Sequence, residues 1–306
     1  MKAFALSLAF VLHATGLWAH TDPVAREHLT NQAMGQAANA ANVSTSADIP
    51  KLVGLPLRQR DIPLDTSAKN VFSVDTETML PLYSKNPDAK VPIASITKTV
   101  TVITFLQRHN LNEVVTIKKL PQYGPEDETI GLVEGDKLSV RFLIQAALIQ
   151  SANDAADALA LWDAGTTTKF ASHMNEALKE WGITGSHFAS PSGLQDTNNY
   201  ATASDLAKIG KLILTNQFVK ATVKTKTATI TTEQNHSYQL NNTNALLENG
   251  LLYGIKTGYT LASGECFLGI TTVNGHEVIT VILGSNDRFG DTVRLINWIG
   301  SSYQWL

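Results

Sequence analysis

Apolar positions along this chain follow two periods, and the places where one gives way to the other divide it into elements. Val71-Phe72-Ser73-Val74-Asp75 and Met79-Leu80-Pro81-Leu82-Tyr83 flank Thr76-Glu77-Thr78 and predict a β-hairpin. Val91-Pro92-Ile93-Ala94 is extended, and residues 99–106 form an apolar segment with helical character. Residues 139–161 are helical in pattern, with a break at Ser151-Ala152-Asn153 between two Ala- and Leu-rich stretches. Further helices are expected over 169–181 and 204–214, the second with Ser204 as its cap, and the Pro-, Gly-, Ser- and Asn-rich stretch 188–200 reads as loop.

Beyond residue 221 the period drops towards two. Strands are expected over 222–231, 254–257, 265–272 and 276–284, with Asn274-Gly275 as the hairpin turn between the last two. An amphipathic helix over 291–299 follows. A hairpin, a helical middle, antiparallel strands and a final helix predict one α+β unit whose sheet joins both ends of the chain.

Composition adds limits to this picture. Of 306 residues, 43% are hydrophobic and 17% charged, enough to bury a sizeable core. A net charge of -3 gives no basic field, which argues against nucleic acid as a partner. Cys266 is the single cysteine, so no intrachain disulfide framework exists, and it reads as a buried structural thiol. The histidines show no metal-ligand spacing, and neither a metal nor another cofactor is expected.

The first residues change the compartment. Lys2, an apolar run over 3–12 and Leu17-Trp18-Ala19 form the pattern of a secretory signal cleaved after Ala19. The run is shorter than the roughly 20 residues a membrane span needs, and His13 interrupts it. Residues 20–47 are rich in Ala, Asn, Gln and Thr with few large apolar side chains, and suit a frayed helix or a tether.

Chemistry concentrates in three short motifs. In Ser95-Ile96-Thr97-Lys98, a Ser and a Lys three apart on a helix share one face, which sets a nucleophile beside a potential base. Alone the four residues favour a helix cap and a solvated lysine over a catalytic pair. Ser151-x-Asn153 and Lys256-Thr257-Gly258 follow in order, although the second pattern recurs as Ser84-Lys85-Asn86.

Together the set resembles that of the penicillin-recognising serine enzymes. Pro92-Ile93-Ala94-Ser95-Ile96-Thr97-Lys98, Ser151-Ala152-Asn153-Asp154, Ser190-Pro191-Ser192-Gly193-Leu194 and Lys256-Thr257-Gly258-Tyr259-Thr260 narrow the resemblance. They are similar to the low-molecular-mass penicillin-binding proteins, the D-alanyl-D-alanine carboxypeptidases and endopeptidases, over about 68–298. The implied fold is β-lactamase/transpeptidase-like: a central antiparallel sheet flanked by helices, with an inserted all-helical subdomain. The implied division is a signal peptide (1–19), a tether or flexible segment (20–66), and a DD-peptidase domain (67–306) without a C-terminal β domain or membrane anchor.

What the resemblance implies is a serine DD-peptidase that acts on peptidoglycan stem peptides in the periplasm and is acylated by β-lactams. Ser95 would be the nucleophile and Lys98 or Ser151 its base, with Asn153 binding Lys98 and the substrate amide. A lysine serving near neutrality needs a pKa near 7 rather than about 10.4, a difference of roughly 4 kcal/mol, which burial beside Lys256 could supply. Backbone N–H groups of Ser95 and Tyr259 would form the oxyanion hole; Lys256, Thr257, Gly258, Thr260 and Arg288 would line the substrate carboxylate site.

Two departures shape the expectation. Class A β-lactamases place a deacylating Glu about 36 residues after the second motif, and residues 182–200 contain none. The short chain and Asn242-Thr243-Asn244 lean towards endopeptidase rather than carboxypeptidase action. A serine β-lactamase and an inactive cell-wall-binding scaffold are the competing readings.

Overall fold

A computed structural model describes residues 54–194, 198–232, 235–247, 250 and 253–306. The segment expected to be a signal peptide, and the tether up to residue 53, lie outside the described residues.

The chain begins with β1 (Pro56–Arg58), followed by the hairpin β2 (Asn70–Asp75) and β3 (Pro81–Lys85). Asp75 closes that hairpin by accepting hydrogen bonds from the backbone N–H and hydroxyl of Thr78. Strand β4 (Val91–Pro92) and a 3-10 turn over Ala94–Ile96 lead into helix α1 (Thr97–Leu106). The ladder β5 (Val114–Thr116) and β6 (Lys137–Ser139) then introduces α2 (Val140–Ile149), α3 (Asn153–Ala164) and α4 (Thr167–Glu180). After β7 (Tyr200–Ala201) come α5 (Ala203–Ile213) and α6 (Gln217–Thr222). Strands β8 (Thr227–Thr231), β9 (Ser237–Asn241), β10 (Tyr253–Thr260), β11 (Gly264–Val273) and β12 (His276–Ser285) follow, then α7 (Arg288–Ser302) and β13 (Tyr303–Trp305).

The main sheet has the order β10-β11-β12-β2-β3, all antiparallel, so its strands come from both ends of the chain. The predicted Asn274-Gly275 turn is a two-residue hairpin with positive φ at both positions (51° and 89°), the geometry that Asn-Gly tolerates. One sheet face packs on α5 and the helical insertion α1–α6; the other packs on α7, giving an apolar cluster on each side. Helix α1 runs through the larger cluster, with Val100, Val102 and Phe105 fully buried. Among the described residues no helix is long and apolar enough to cross a membrane.

Three local expectations are corrected. Residues 54–66, assigned to the tether, are engaged: β1 pairs with β13, Gln59 N–H donates to Ser302 O, and Ile62 O accepts from Trp298 Nε1. Edge pairing and polar contacts of this kind need no apolar pattern, so hydropathy does not reveal them. Thr202, not Ser204, caps α5 by accepting from Asp205 N–H; the Ser204 hydroxyl bonds Asp88. The strand expected over 222–231 starts only at Thr227, because Asn216 caps α6 and carries residues 217–222 into helix. Strands β5 and β6 are too short to show alternation and were not anticipated; β9 alternates, with Tyr238 and Leu240 buried, and was also not anticipated.

Candidate active site

The site forms where the start of α1, the α2–α3 junction and strand β10 converge. Its first unusual feature is backbone conformation. Ala94 and Ser151, neither a glycine, both adopt left-handed φ values, 50° and 64°. Such conformations cost of order 1–3 kcal/mol each and persist only where surrounding contacts enforce them. Ala94 turns the chain so that Ser95 stands at the head of α1, and Ser151 turns it between α2 and α3.

Neither of the second motif's polar residues acts as a helix cap. Ala152 occupies the cap position of α3 without a side-chain bond, and Asn153 N–H donates instead to Glu128 O at 2.7 Å. This releases the Asn153 side chain, whose Oδ1 accepts from Lys98 Nζ at 2.6 Å. Lys98 Nζ also lies 2.8 Å from Ser95 Oγ and donates to Ser192 O at 2.9 Å. The solvated-lysine reading fails outright, since Lys98 has no exposed surface. Ser151 is buried too, and among the described residues its hydroxyl makes no side-chain hydrogen bond.

Burial lowers the Lys98 pKa to about 7, against the opposing pull of Asp157, Glu128, Asp154 and Asp127. The expected role of Lys256 in this shift is therefore corrected: desolvation suffices. Lys256 is itself pushed well below its ordinary value by burial first, then by the Lys98 and Arg288 charges. Its Nζ donates to Thr257 O at 2.9 Å. Two buried ammonium groups in one site favour the loss of a proton from one of them.

Strand β10 approaches the Ser95 turn through Gly258. A Cβ there would stand 2.8 Å from Ile93 O and 3.2 Å from Ser95 N. The glycine thus serves close packing of the chain on itself, where the sequence reading expected room for a substrate. The contact brings the Tyr259 segment of β10 alongside Ser95, while the Tyr259 ring points outward, 58% exposed. Gly193 has the same function on the other side: a Cβ would fall 2.2 Å from Ala94 O, and its φ is +82°.

The remaining predicted residues divide. Thr257 is buried, with its hydroxyl 2.5 Å from that of Thr243. Arg288 reaches β10, its Nη1 donating to Gly258 O at 2.9 Å and its N–H to Glu265 Oε2. Its buried Nε has no partner among the described residues. Thr260 does not join them: its hydroxyl donates to Ser263 Oγ and accepts from Ser263 N–H, closing the β10–β11 turn.

Sequence reasoning missed Ser192, which contributes a backbone carbonyl, and Thr243, which orients Thr257. The loop carrying Ser192 was quoted for its resemblance but could not be assigned a contact. Thr101 Oγ1, donating to Pro191 O at 2.6 Å, holds that loop against α1.

A buried lysine amine against a half-buried serine hydroxyl, with neighbouring amide and cationic groups, can support acyl transfer through a serine ester. Residues 58–287 match the peptidase S11 family, described as D-alanyl-D-alanine carboxypeptidase. The chain belongs to this family. It is a serine-type D-Ala-D-Ala peptidase with the β-lactamase-like fold.

It is 32% identical to a D-alanyl-D-alanine endopeptidase of Pseudomonas aeruginosa, over 84% of this chain and 83% of that protein. It is 24% identical to the D-alanyl-D-alanine carboxypeptidase DacF of Bacillus subtilis, over 80% of this chain and 65% of that protein. Among solved structures, the Streptomyces K15 DD-transpeptidase superposes with a TM-score of 0.72 at 28% identity, covering 79% of this chain and 100% of that one.

Proposed function

We propose that this S11 peptidase is a D-alanyl-D-alanine endopeptidase that opens peptidoglycan cross-links through an acyl-enzyme on Ser95. The observation that carries the reading is the set of contacts around Lys98 Nζ. A neutral amine has two N–H donors and one lone pair. Asn153 Oδ1 and Ser192 O take the two donors, at 2.6 and 2.9 Å, which leaves the lone pair for the Ser95 hydroxyl at 2.8 Å. A pKa of about 7 makes that neutral form available at physiological pH.

In this mechanism Lys98 takes the Ser95 proton as Oγ attacks the D-alanyl carbonyl. The N–H groups of Ser95 and Tyr259 receive the oxyanion. Ser151, whose hydroxyl has no side-chain partner among the described residues, relays that proton from Lys98 to the leaving amine, giving up its own proton as it takes the one from Lys98. Water then hydrolyses the ester and restores the enzyme. Lys256, Thr257 and Arg288 supply positive potential and a hydroxyl for the substrate carboxylate, and Asn153 also binds the substrate amide.

The endopeptidase preference rests on the Pseudomonas aeruginosa relative, matched at higher identity and over more of its length than DacF. With no Glu in residues 182–200 to activate a deacylating water, the ester formed with a β-lactam persists. The predicted signal at 1–19 places the enzyme in the periplasm.

Digestion of purified cross-linked muropeptides, read by mass spectrometry, tests the reading. Loss of dimers is expected; loss of a single alanine from pentapeptides with dimers intact overturns the endopeptidase preference. A fluorescent penicillin is expected to label wild-type protein and not Ser95→Ala. Rapid turnover of a chromogenic cephalosporin without an accumulating adduct identifies a β-lactamase instead.

A further inference from the structure

One buried carboxylate beside the site has no part in the mechanism above. Asp157 lies on α3 four residues after Asn153, so the two share a helix face. It is 5% exposed and makes no ion pair among the described residues; the Tyr123 hydroxyl donates to its Oδ2 at 2.7 Å. Tyr123 belongs to the segment between β5 and β6, which α3 holds at three further points. Glu128 O accepts from Asn153 N–H, and Asp154 accepts from the N–H groups of Ile130 and Leu132.

We propose that Asp157 is a positioning residue for Lys98: a carboxylate fixed by Tyr123, one helical turn beyond Asn153, that governs the lysine's charge state. The proposal rests on Lys98 being the proton acceptor for Ser95.

Of the charged groups around Lys98, Asp157 exerts the largest pull, ahead of Glu128, Asp154 and Asp127; Lys256 on β10 is the neighbouring cation, itself lowered by the Lys98 charge. Asp157 in turn faces Tyr123, Lys98 and Asp154. Burial raises its pKa to about 6, and the Tyr123 hydrogen bond and Lys98 restrain that rise. Asp157 is therefore the more acidic of the two groups and is ionised over the upper part of the range in which Lys98 titrates near 7. The carboxylate keeps Lys98 from losing its proton too readily, at the expense of acylation below neutrality. A protein with an apolar residue here would have a lower acidic limb.

Asp157→Asn keeps the shape and the acceptor for Tyr123 but removes the charge. Tyr123→Phe removes the bond that favours the carboxylate and so moves Asp157 towards its protonated form. The test is the pH dependence of the rate of acylation by fluorescent penicillin, measured alongside thermal stability. Asp157→Asn is expected to move the acidic limb down by roughly half to one pH unit, so that acylation at pH 6 rises about three- to fivefold relative to its own plateau. Tyr123→Phe is expected to move it in the same direction by less, and serves alone if Asp157→Asn does not fold. Limbs that superimpose on the wild type, with only the plateau or the melting temperature lowered, overturn the proposal and leave Asp157 a structural residue. Wild-type protein that is not acylated at Ser95, or shows no acidic limb, overturns the assignment of Lys98 and this inference with it.

Discussion

Lys98 Nζ donates to Asn153 Oδ1 at 2.6 Å, joining the first helix of the insertion to the third across a fully buried contact. The bond depends on a backbone substitution elsewhere: Glu128 O, by accepting from Asn153 N–H, satisfies the helix start that the side chain would otherwise cap. Asn153→Ala leaves Lys98 one acceptor short in a dry site. Acylation by penicillin is expected to fall roughly ten- to a hundredfold, the loss of a buried hydrogen bond of about 1–3 kcal/mol. Stopped-flow labelling measures it, and an unchanged rate removes Asn153 from the mechanism.

The wild-type acylation rate is expected to fall tenfold per unit as pH drops below about 7. In the proposed mechanism Lys98 acts when neutral, and its pKa is lowered by burial, so protonation on the acid side removes the form that accepts the Ser95 proton. Lys98→Arg, which stays charged, is expected to show no labelling at any pH up to 9. A wild-type limb near 10 contradicts the role given to burial.

Gly258→Ala tests the close approach of β10 to the Ser95 turn. Its Cβ would stand 2.8 Å from Ile93 O, so strand and turn must separate. Stability is expected to drop by about 1–3 kcal/mol. Acylation is expected to fall roughly a hundredfold as the N–H groups of Ser95 and Tyr259 move apart. Gly300→Ala on α7, where the nearest atom is Val273 Cγ1 at 3.4 Å, is the control expected to alter neither.

Asp291 anchors the segment entering β2 to the start of α7. Burial alone would raise its pKa; hydrogen bonds from Ser285, Arg294 and Ser67 outweigh that and hold it well below the usual carboxylate range. Because the folded value lies below the unfolded one, the stabilisation is complete above about pH 4 and is lost as pH falls towards the folded value. Asp291→Asn is expected to cost about 2 kcal/mol near neutrality, a melting temperature lower by about 4–8 °C for a domain of this size. The gap between variant and wild type should narrow in acid; a constant gap from pH 7 to 3 refutes the assignment.

The chain's own sequence determined which residues form the three motifs and the outline of the sheet. The strands around Asn274-Gly275 and the hairpin closed at Asp75 were legible because alternation and turn chemistry are local. Ser95, Lys98, Asn153 and Lys256 were legible as motifs, yet nothing within each motif distinguished a reactive lysine from a solvated one. Tertiary structure decided that difference. Lys98 loses its charge readily because α1 lies in the core, and no local pattern encodes desolvation by segments more than fifty residues away. The same holds for Ser192 and Thr243, which act through a carbonyl and a hydroxyl brought in by distant loops, and for Asp157, which on sequence is one more acid on a helix. Left-handed φ at Ala94 and Ser151 is likewise invisible in residue type, since contacts from Gly193, Gly258 and the α2–α3 junction impose it.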